Sequence, residues 1–277
     1  MQIAMVDDKI LPLDGLDAVY LDRGLYFGDG VYEVLRSYEG KIFALQEHLE
    51  RFSRSMAAIE ISGVKIEQIR KRVTEAFETA GFANARIYFH ITRGSAPREH
   101  KWAADLKPNF FLTVNELTDD AGSKNKGISV STHPDWRWKR CDIKSLNLLA
   151  NVLARQDAAK KGCDEAILVD EAGLITEGAG SAFFAIFGKR LQTAAITANI
   201  LPSVTRKFVI QASKNIGLEV VEKSLTPQQA SSADELFIGV TTKDIVPVVS
   251  FDGKSISGGR PGRYTKMLID EFRLFTI

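Results

Sequence analysis

The sequence predicts a mixed α/β protein built in two segments. Two observations predict it. Strand-like runs rich in β-branched and aromatic residues alternate with amphipathic helical stretches along the whole chain. A polar, aperiodic stretch, NELTDDAGSKNKG (115–127), interrupts that alternation once. The length of 277 residues suits one large domain or two of about 100–150 residues. We therefore expect an N-terminal α/β domain over 1–115, a linker over 116–127 and a C-terminal domain over 128–277.

The elements follow in order. GVYEVLRSYEGKIFAL reads as two strands joined at Glu39-Gly40, a hairpin signal. The next stretch places Leu45, Leu49, Phe52, Met56 and Ile59 on one helical face, and a second helix carries Ile66, Ile69, Val73 and Phe77 before Gly81. ARIYFHIT and NFFLTVNEL are strands. Beyond the linker, GISVSTH is a short strand, and LNLLANVLARQDAAKKGC is a helix ending near Gly162. Hairpins turn at Glu171-Ala172-Gly173 and at Gly188-Lys189. Ser203 caps a helix through VTRKFVIQASKN. DELFIGVTTKDIVPVVSFDGK returns to strand, and a last helix starts near Gly262.

Composition narrows the function. There are 36 basic and 35 acidic side chains, which argues against a general nucleic-acid surface. Cys141 and Cys163 make neither a metal-ligand spacing nor a disulfide framework, and unpaired thiols suit a reducing cytosol. No apolar run approaches the ~20 residues of a membrane span, and the N-terminus has no signal-peptide pattern. A cytoplasmic protein with no metal, nucleic-acid or membrane partner is expected.

Five places carry chemically suggestive residues. Lys144 lies in RCDIKSLNLLANVLARQ, one step before an amphipathic helix and flanked by Ile143 and Leu146. Most lysines are solvated, but one drawn toward a core favours the neutral amine, which can form a Schiff base with an aldehyde. Glu177 is followed by Gly178 and Gly180, which let backbone approach a ligand, although a turn glutamate ordinarily faces water. Ser203, Val204 and Thr205 open a helix, and free N–H groups at such an end bind anions. Arg51 is a helix arginine that either faces solvent or brings charge to that anion. In SAPREH, Arg98 and His100 stand one residue apart after Pro97, the pattern of a wet basic loop or of an anion trap.

Six ordered stretches together are more specific than any one of them: DRGLYFGDGVYEVLR, FALQEHLERFSRS, RCDIKSLNLLANVLA, KGCDEAILVDEAGLITEG, ILPSVTR and DELFIGVTT. In these the sequence resembles the fold-type IV pyridoxal-phosphate enzymes, the group of D-amino-acid aminotransferases, branched-chain aminotransferases and aminodeoxychorismate lyases. The resemblance implies a smaller N-terminal α/β domain and a larger C-terminal pseudo-barrel domain that binds pyridoxal 5'-phosphate. It implies that Lys144 holds the cofactor as an internal aldimine and shuttles the substrate proton, while Glu177 pairs with the pyridine nitrogen. It assigns Arg51, Val204, Thr205, Val240 and Thr241 to the phosphate, and Leu201 to the ring. It also implies a homodimer whose active site is completed by the partner subunit.

RIYFHITRGSAPREH is similar to the D-amino-acid branch, closest to the bacterial D-alanine enzymes. That resemblance implies that Arg98, His100 and Tyr32 bind the substrate α-carboxylate, with Arg98 and His100 acting from the partner. An arginine fork, an imidazole N–H and a phenol O–H are suitable donors for a carboxylate. Period two puts Tyr32, Val34 and Arg36 on one strand face, the one that the family turns toward substrate, with Glu33 and Leu35 on the other. The expected reaction is transamination between a D-amino acid and a 2-oxo acid such as 2-oxoglutarate. An L-branched-chain or (R)-amine aminotransferase, a lyase of the aminodeoxychorismate type and a non-catalytic cofactor-binding protein are the alternatives. Three positions depart from the family pattern. Arg36 stands where lysine is frequent, Ala182 follows Ser181 where asparagine is common, and Val240 precedes Thr241 where a hydroxyl residue is common. The last two imply weaker cofactor retention.

Overall fold

The computed structural model describes residues 1–118, 121–197 and 199–277. It opens with a hairpin of β1 (Ile3–Val6) and β2 (Lys9–Pro12), followed by the short helix α1 (Arg23–Phe27). These are elements too short for periodicity to announce. β3 (Gly30–Tyr38) and β4 (Lys41–Ile42) form the expected hairpin, and Glu39 and Gly40 both take positive φ (48° and 84°), as a tight two-residue turn requires. α2 (Leu45–Ala58) and α3 (Ile66–Ala80) follow, then β5 (Ala85–Thr92) and β6 (Asn109–Glu116).

The four strands make an antiparallel sheet in the order β4-β3-β5-β6. Both helices cover the same face of it. Leu49, Phe52 and Met56 of α2 and Ile69 and Val73 of α3 pack on Val31, Leu35, Ile87 and Phe89. Fully burying each such side chain contributes roughly 1.5–3 kcal/mol. Because side chains alternate along a strand, this burial turns Tyr32 and Val34 to the uncovered face.

Asp119 and Asp120, within the stretch read as a linker, lie outside the described residues. The same stretch contains a short helix, α4 (Ala121–Lys126), which its polar composition does not signal. Lys124 is buried there and pairs with Asp244 at 2.8 Å.

β7 (Ile128–Pro134), α5 (Leu149–Lys160) and β8 (Glu165–Val169) form a β-α-β unit with parallel strands. β9 (Ile175–Gly178), β10 (Ala182–Phe187) and β11 (Arg190–Thr193) follow. α6 (Val204–Asn215) crosses to β12 (Glu219–Glu222), which pairs parallel with β11. After α7 (Pro227–Ala230) come β13 (Glu235–Val240), β14 (Asp244–Phe251), β15 (Lys254–Ser255) and α8 (Arg263–Arg273).

The second sheet runs β12-β11-β10-β13-β14-β7-β8-β9, with β15 on β14. It curls until its outer strands approach each other. Ile175 N–H of β9 donates to the Leu225 carbonyl just past β12 (2.7 Å), and Gly178 N–H donates to the Ser181 carbonyl at the start of β10 (2.7 Å). This curled half-barrel is the pseudo-barrel expected of the fold. Its interior holds Val130, Ile167, Leu236, Val248 and Phe251, while Phe184, Phe237, Leu268 and Phe272 pack beneath α6 and α8.

One element differs from its expected form. The helix after Lys144 starts only at Leu149, and its apolar side is partly outward. Leu149, Val152 and Leu153 are exposed, whereas the small Ala154 and Ala158 face the sheet. Small residues allow close packing on β8 and leave the large side chains without cover within this chain.

Candidate active site

Lys144 is set in place by backbone pairing, not by a helix. The Tyr32 N–H donates to the Lys144 carbonyl (3.0 Å), the Leu146 N–H to the Gly30 carbonyl (3.0 Å), and the Lys144 N–H to the Ser55 hydroxyl (3.1 Å). Gly30 permits this approach, since a Cβ there would lie 2.5 Å from the Ile91 carbonyl oxygen and 2.7 Å from a Leu146 methyl. Lys144 Nζ therefore sits 4.2 Å from the centroid of the Tyr32 ring, a cation–π distance. Both residues line a cavity of about 220 Å³ between the two sheets.

Glu177, on β9, also lines that cavity. Leu201 N–H donates to its Oε1 (3.1 Å), and Arg137 Nη1 donates to the same oxygen (2.5 Å). Arg137 is fixed in turn by a bidentate pair with Asp135 (2.9 and 2.8 Å), which also accepts from the Thr176 hydroxyl (2.8 Å). Burial raises the Glu177 carboxyl above its ordinary value, and the adjacent Arg137 acts against that shift. The product is a buried carboxylate of raised basicity, suited to holding an N–H donor. Cys141 also lines the cavity, but burial pushes its thiol up to about 11, so it is no nucleophile at neutral pH.

Arg51, the residue before α6 and the β13–β14 turn line it as well. The Ser203 hydroxyl caps α6 by accepting the Arg206 N–H (3.2 Å), which leaves the N–H groups of Val204 and Thr205 without intrahelical acceptors. Ser203, Leu201, Val240 and Thr241 line the cavity with Arg51. Arg51 Nη1 donates to the Pro202 carbonyl (3.1 Å), linking α2 to the α6 start. Nε and Nη2 donate to the Glu33 carboxylate (2.7 and 2.8 Å), which His48 Nδ1 also contacts at 2.8 Å. Burial alone would raise the Glu33 carboxyl, but Arg51 and His48 outweigh it and hold it far below its ordinary 4.5.

Of the expected substrate residues, Tyr32 and Val34 line the cavity. Arg36 does not. Its Nη1 donates to the Thr242 carbonyl (2.9 Å) and to Asp244 (3.2 Å), so it braces the β13–β14 turn from behind. Tyr38 also donates to Asp244. Arg98 and His100 are exposed and lie outside the cavity, packed on Phe27 at 5.3 and 5.4 Å. Lys144, Glu177, Arg51, Leu201, Tyr32, Val34, Val240 and Thr241 are brought together; Arg98 and His100 are not brought to them within one chain.

Sequence reasoning missed Arg137, Glu33 and His48. Glu33 had a signal, since it stands between Val31 and Leu35 on the strand face turned to α2, where His48 and Arg51 flank the apolar stripe. Arg137 had none, because WRWKR offers three basic residues and no period to choose among them.

The profile of the family described as amino-transferase class IV matches residues 30–251. The chain is 39% identical over 246 residues to a D-alanine aminotransferase of Bacillus licheniformis, covering 88% of this chain and 87% of that protein. It is 36% identical over 258 residues to a D-alanine aminotransferase of Staphylococcus haemolyticus, covering 92% and 91%. Among solved structures, it superposes on the branched-chain amino acid aminotransferase of Escherichia coli with a TM-score of 0.88 at 25% identity, covering 98% and 93%.

Proposed function

The chain belongs to the class IV aminotransferases, and on that premise we propose that it moves the amino group of a D-amino acid, D-alanine foremost, to a 2-oxo acid such as 2-oxoglutarate. The observation that carries this reading is the identity of 39% with a D-alanine aminotransferase across nearly the whole chain, against 25% with the branched-chain enzyme whose fold it shares.

The residues in the cavity fit pyridoxal 5'-phosphate. A cationic Arg51 with a helix start suits its phosphate, a buried carboxylate suits its ring nitrogen, and a half-buried amine suits its aldehyde. When bound, the cofactor supplies an electron sink for the carbanion left at the substrate Cα. Arg51, the Val204 and Thr205 N–H groups and Thr241 would hold the phosphate, and Leu201 would pack on the ring. Glu177, kept basic by burial and oriented by Arg137, would hold the proton on the ring nitrogen. Lys144 would supply the amine that tethers the aldehyde, and its Nζ, which lines the cavity, would be the group that takes the substrate Cα proton. Val240 leaves only its backbone N–H to offer where a hydroxyl residue is frequent, and Ala182 offers no side-chain donor, so cofactor retention is weaker than in relatives with polar residues there.

Tyr32, with Arg98 and His100 of a second copy, binds the α-carboxylate, and fixing that group on one side presents a single enantiomer's Cα–H to Lys144. A homodimer is consistent with the exposed Leu25, Phe111, Leu149 and Val152. Segments 1–115 and 128–277 act as two domains joined by 116–127. Among the described residues no helix is long and apolar enough to cross a membrane, and the free thiols suit the cytoplasm.

Incubation of the holoenzyme with D-alanine and 2-oxoglutarate is expected to yield pyruvate and glutamate in equal amounts. Continuous pyruvate formation without an amino acceptor contradicts amino transfer. Mixing inactive Arg98→Ala and Lys144→Ala subunits is expected to restore about a quarter of wild-type activity, because half of the dimers are mixed and each has one intact site. No recovery in confirmed mixed dimers contradicts action in trans.

A further inference from the structure

Arg98 and His100 are exposed side chains, yet the backbone that carries them is held from beneath. The holder is Arg23, buried at the start of α1 with 3% of its surface exposed. Its Nη1 donates to the Glu99 carbonyl (2.5 Å) and its Nη2 to the His100 carbonyl (2.9 Å). Its Nε donates to Asp29 Oδ2 (2.8 Å). Asp29 is fixed from the other side by Arg93, whose Nε and Nη2 donate to it at 2.8 and 2.9 Å. Arg93 also donates to the Ile59 and Glu60 carbonyls at the end of α2 (2.6 and 3.1 Å). Phe27 is the seat on which the pieces meet, with the guanidinium carbons of Arg23 and Arg98 at 4.9 and 5.3 Å from its ring centroid and the His100 ring at 5.4 Å.

This arrangement has a specific physical meaning. All three donor nitrogens of Arg23 are used, and two of them grip consecutive carbonyls in the loop. A planar guanidinium fork can do this; a lysine ammonium or a glutamine amide cannot reach both carbonyls and Asp29 together. A long arginine side chain on an unanchored loop would lose freedom on meeting a carboxylate, and that ordering would weaken binding. Holding the loop beforehand removes the cost and fixes the angle of approach.

We propose that Arg23, oriented by Asp29, is a positioning residue for substrate recognition: it sets the Glu99–His100 backbone so that Arg98 and His100 offer their donors to a carboxylate in one geometry. The inference rests on the reading of that loop as carboxylate-binding. Arg23 does not line the cavity, so it acts through the loop and not on the reacting atoms.

The test compares two reagents that both capture the cofactor aldehyde and differ in one group. Aminooxyacetate carries a carboxylate and O-methylhydroxylamine does not. Capture rates are followed by absorbance on the holoenzyme. Wild type is expected to prefer aminooxyacetate, and Arg23→Gln is expected to lower that preference about tenfold to a hundredfold, the scale of lost hydrogen bonds to a charged group. The O-methylhydroxylamine rate should stay near wild type. Phe27→Leu, which keeps the buried ion pairs and removes the aromatic seat, should lower the preference in the same direction. The affinity of the holoenzyme for propionate, read by calorimetry, should fall in parallel. If both rates fall together and the preference is kept in both variants, Arg23 is structural only and the proposal is overturned. If wild type shows no preference, the carboxylate reading of the loop itself fails.

Discussion

Replacing Lys144 by alanine is expected to lower amino transfer about 10⁴-fold or more, because in the proposed function one side chain would supply both the tethering amine and the base that moves the Cα proton. The surroundings offer no substitute. Lys144 is the lysine that lines the cavity among the described residues, and the Cys141 thiol stays protonated. His48 lies behind Arg51, locked against Glu33. The variant should stay folded, since the backbone bonds joining Lys144 to Tyr32 and Ser55 do not involve the side chain. Single-turnover rates with D-alanine measure the loss. Retention of a tenth of the wild-type rate in a folded variant contradicts the role given to Lys144.

The second large effect is on stability. Glu33→Gln is expected to destabilise the protein by roughly 3–5 kcal/mol, the range seen when one partner of a buried ion pair is removed. Arg51 and Glu33 are both nearly inaccessible, so the arginine would be left charged and without its carboxylate partner. The pH dependence has a definite sign. The Glu33 carboxyl is held far below its ordinary 4.5 in the folded protein. Its stabilising contribution is therefore complete above that value and is lost as the pH falls below it, at about 1.4 kcal/mol per unit while only the unfolded chain takes up the proton. Denaturant midpoints at neutral pH and at acid pH check both statements. Glu33→Gln should start lower and show a shallower acid decline than wild type.

Much of the fold is legible in the sequence because its long elements have a clean period. α2 and α3 announce themselves by an apolar stripe, and β3 and β5 by alternation that already separates Tyr32 and Val34 from Val31 and Leu35. The N-terminal hairpin, α1 and α4 are too short to carry a period, and α5 hides its inward face because that face is made of alanines. The site divides in the same way. Lys144, Glu177 and Arg51 are legible through the motifs that contain them. Their partners are not, because the pairing of Arg137 with Glu177 spans 40 positions and depends on how β7 and β9 flank β8. Arg36 illustrates the opposite failure. Alternation puts it on the right strand face, but the face extends beyond the cavity, and at that distance along β3 the neighbour is the β13–β14 turn.

The most direct measurement of the proposed activity is a spectral titration of the holoenzyme with paired D- and L-amino acids. D-alanine is expected to change the cofactor absorbance rapidly and to saturate, and addition of 2-oxoglutarate should restore the starting spectrum. L-alanine and L-leucine should act at least about tenfold more slowly, since a carboxylate fixed on one side would turn the Cα–H of an L-amino acid away from Lys144, and misplacement of a reacting group costs rate steeply. An equal or faster response to the L-amino acids would contradict the assignment of this chain to D-amino acids.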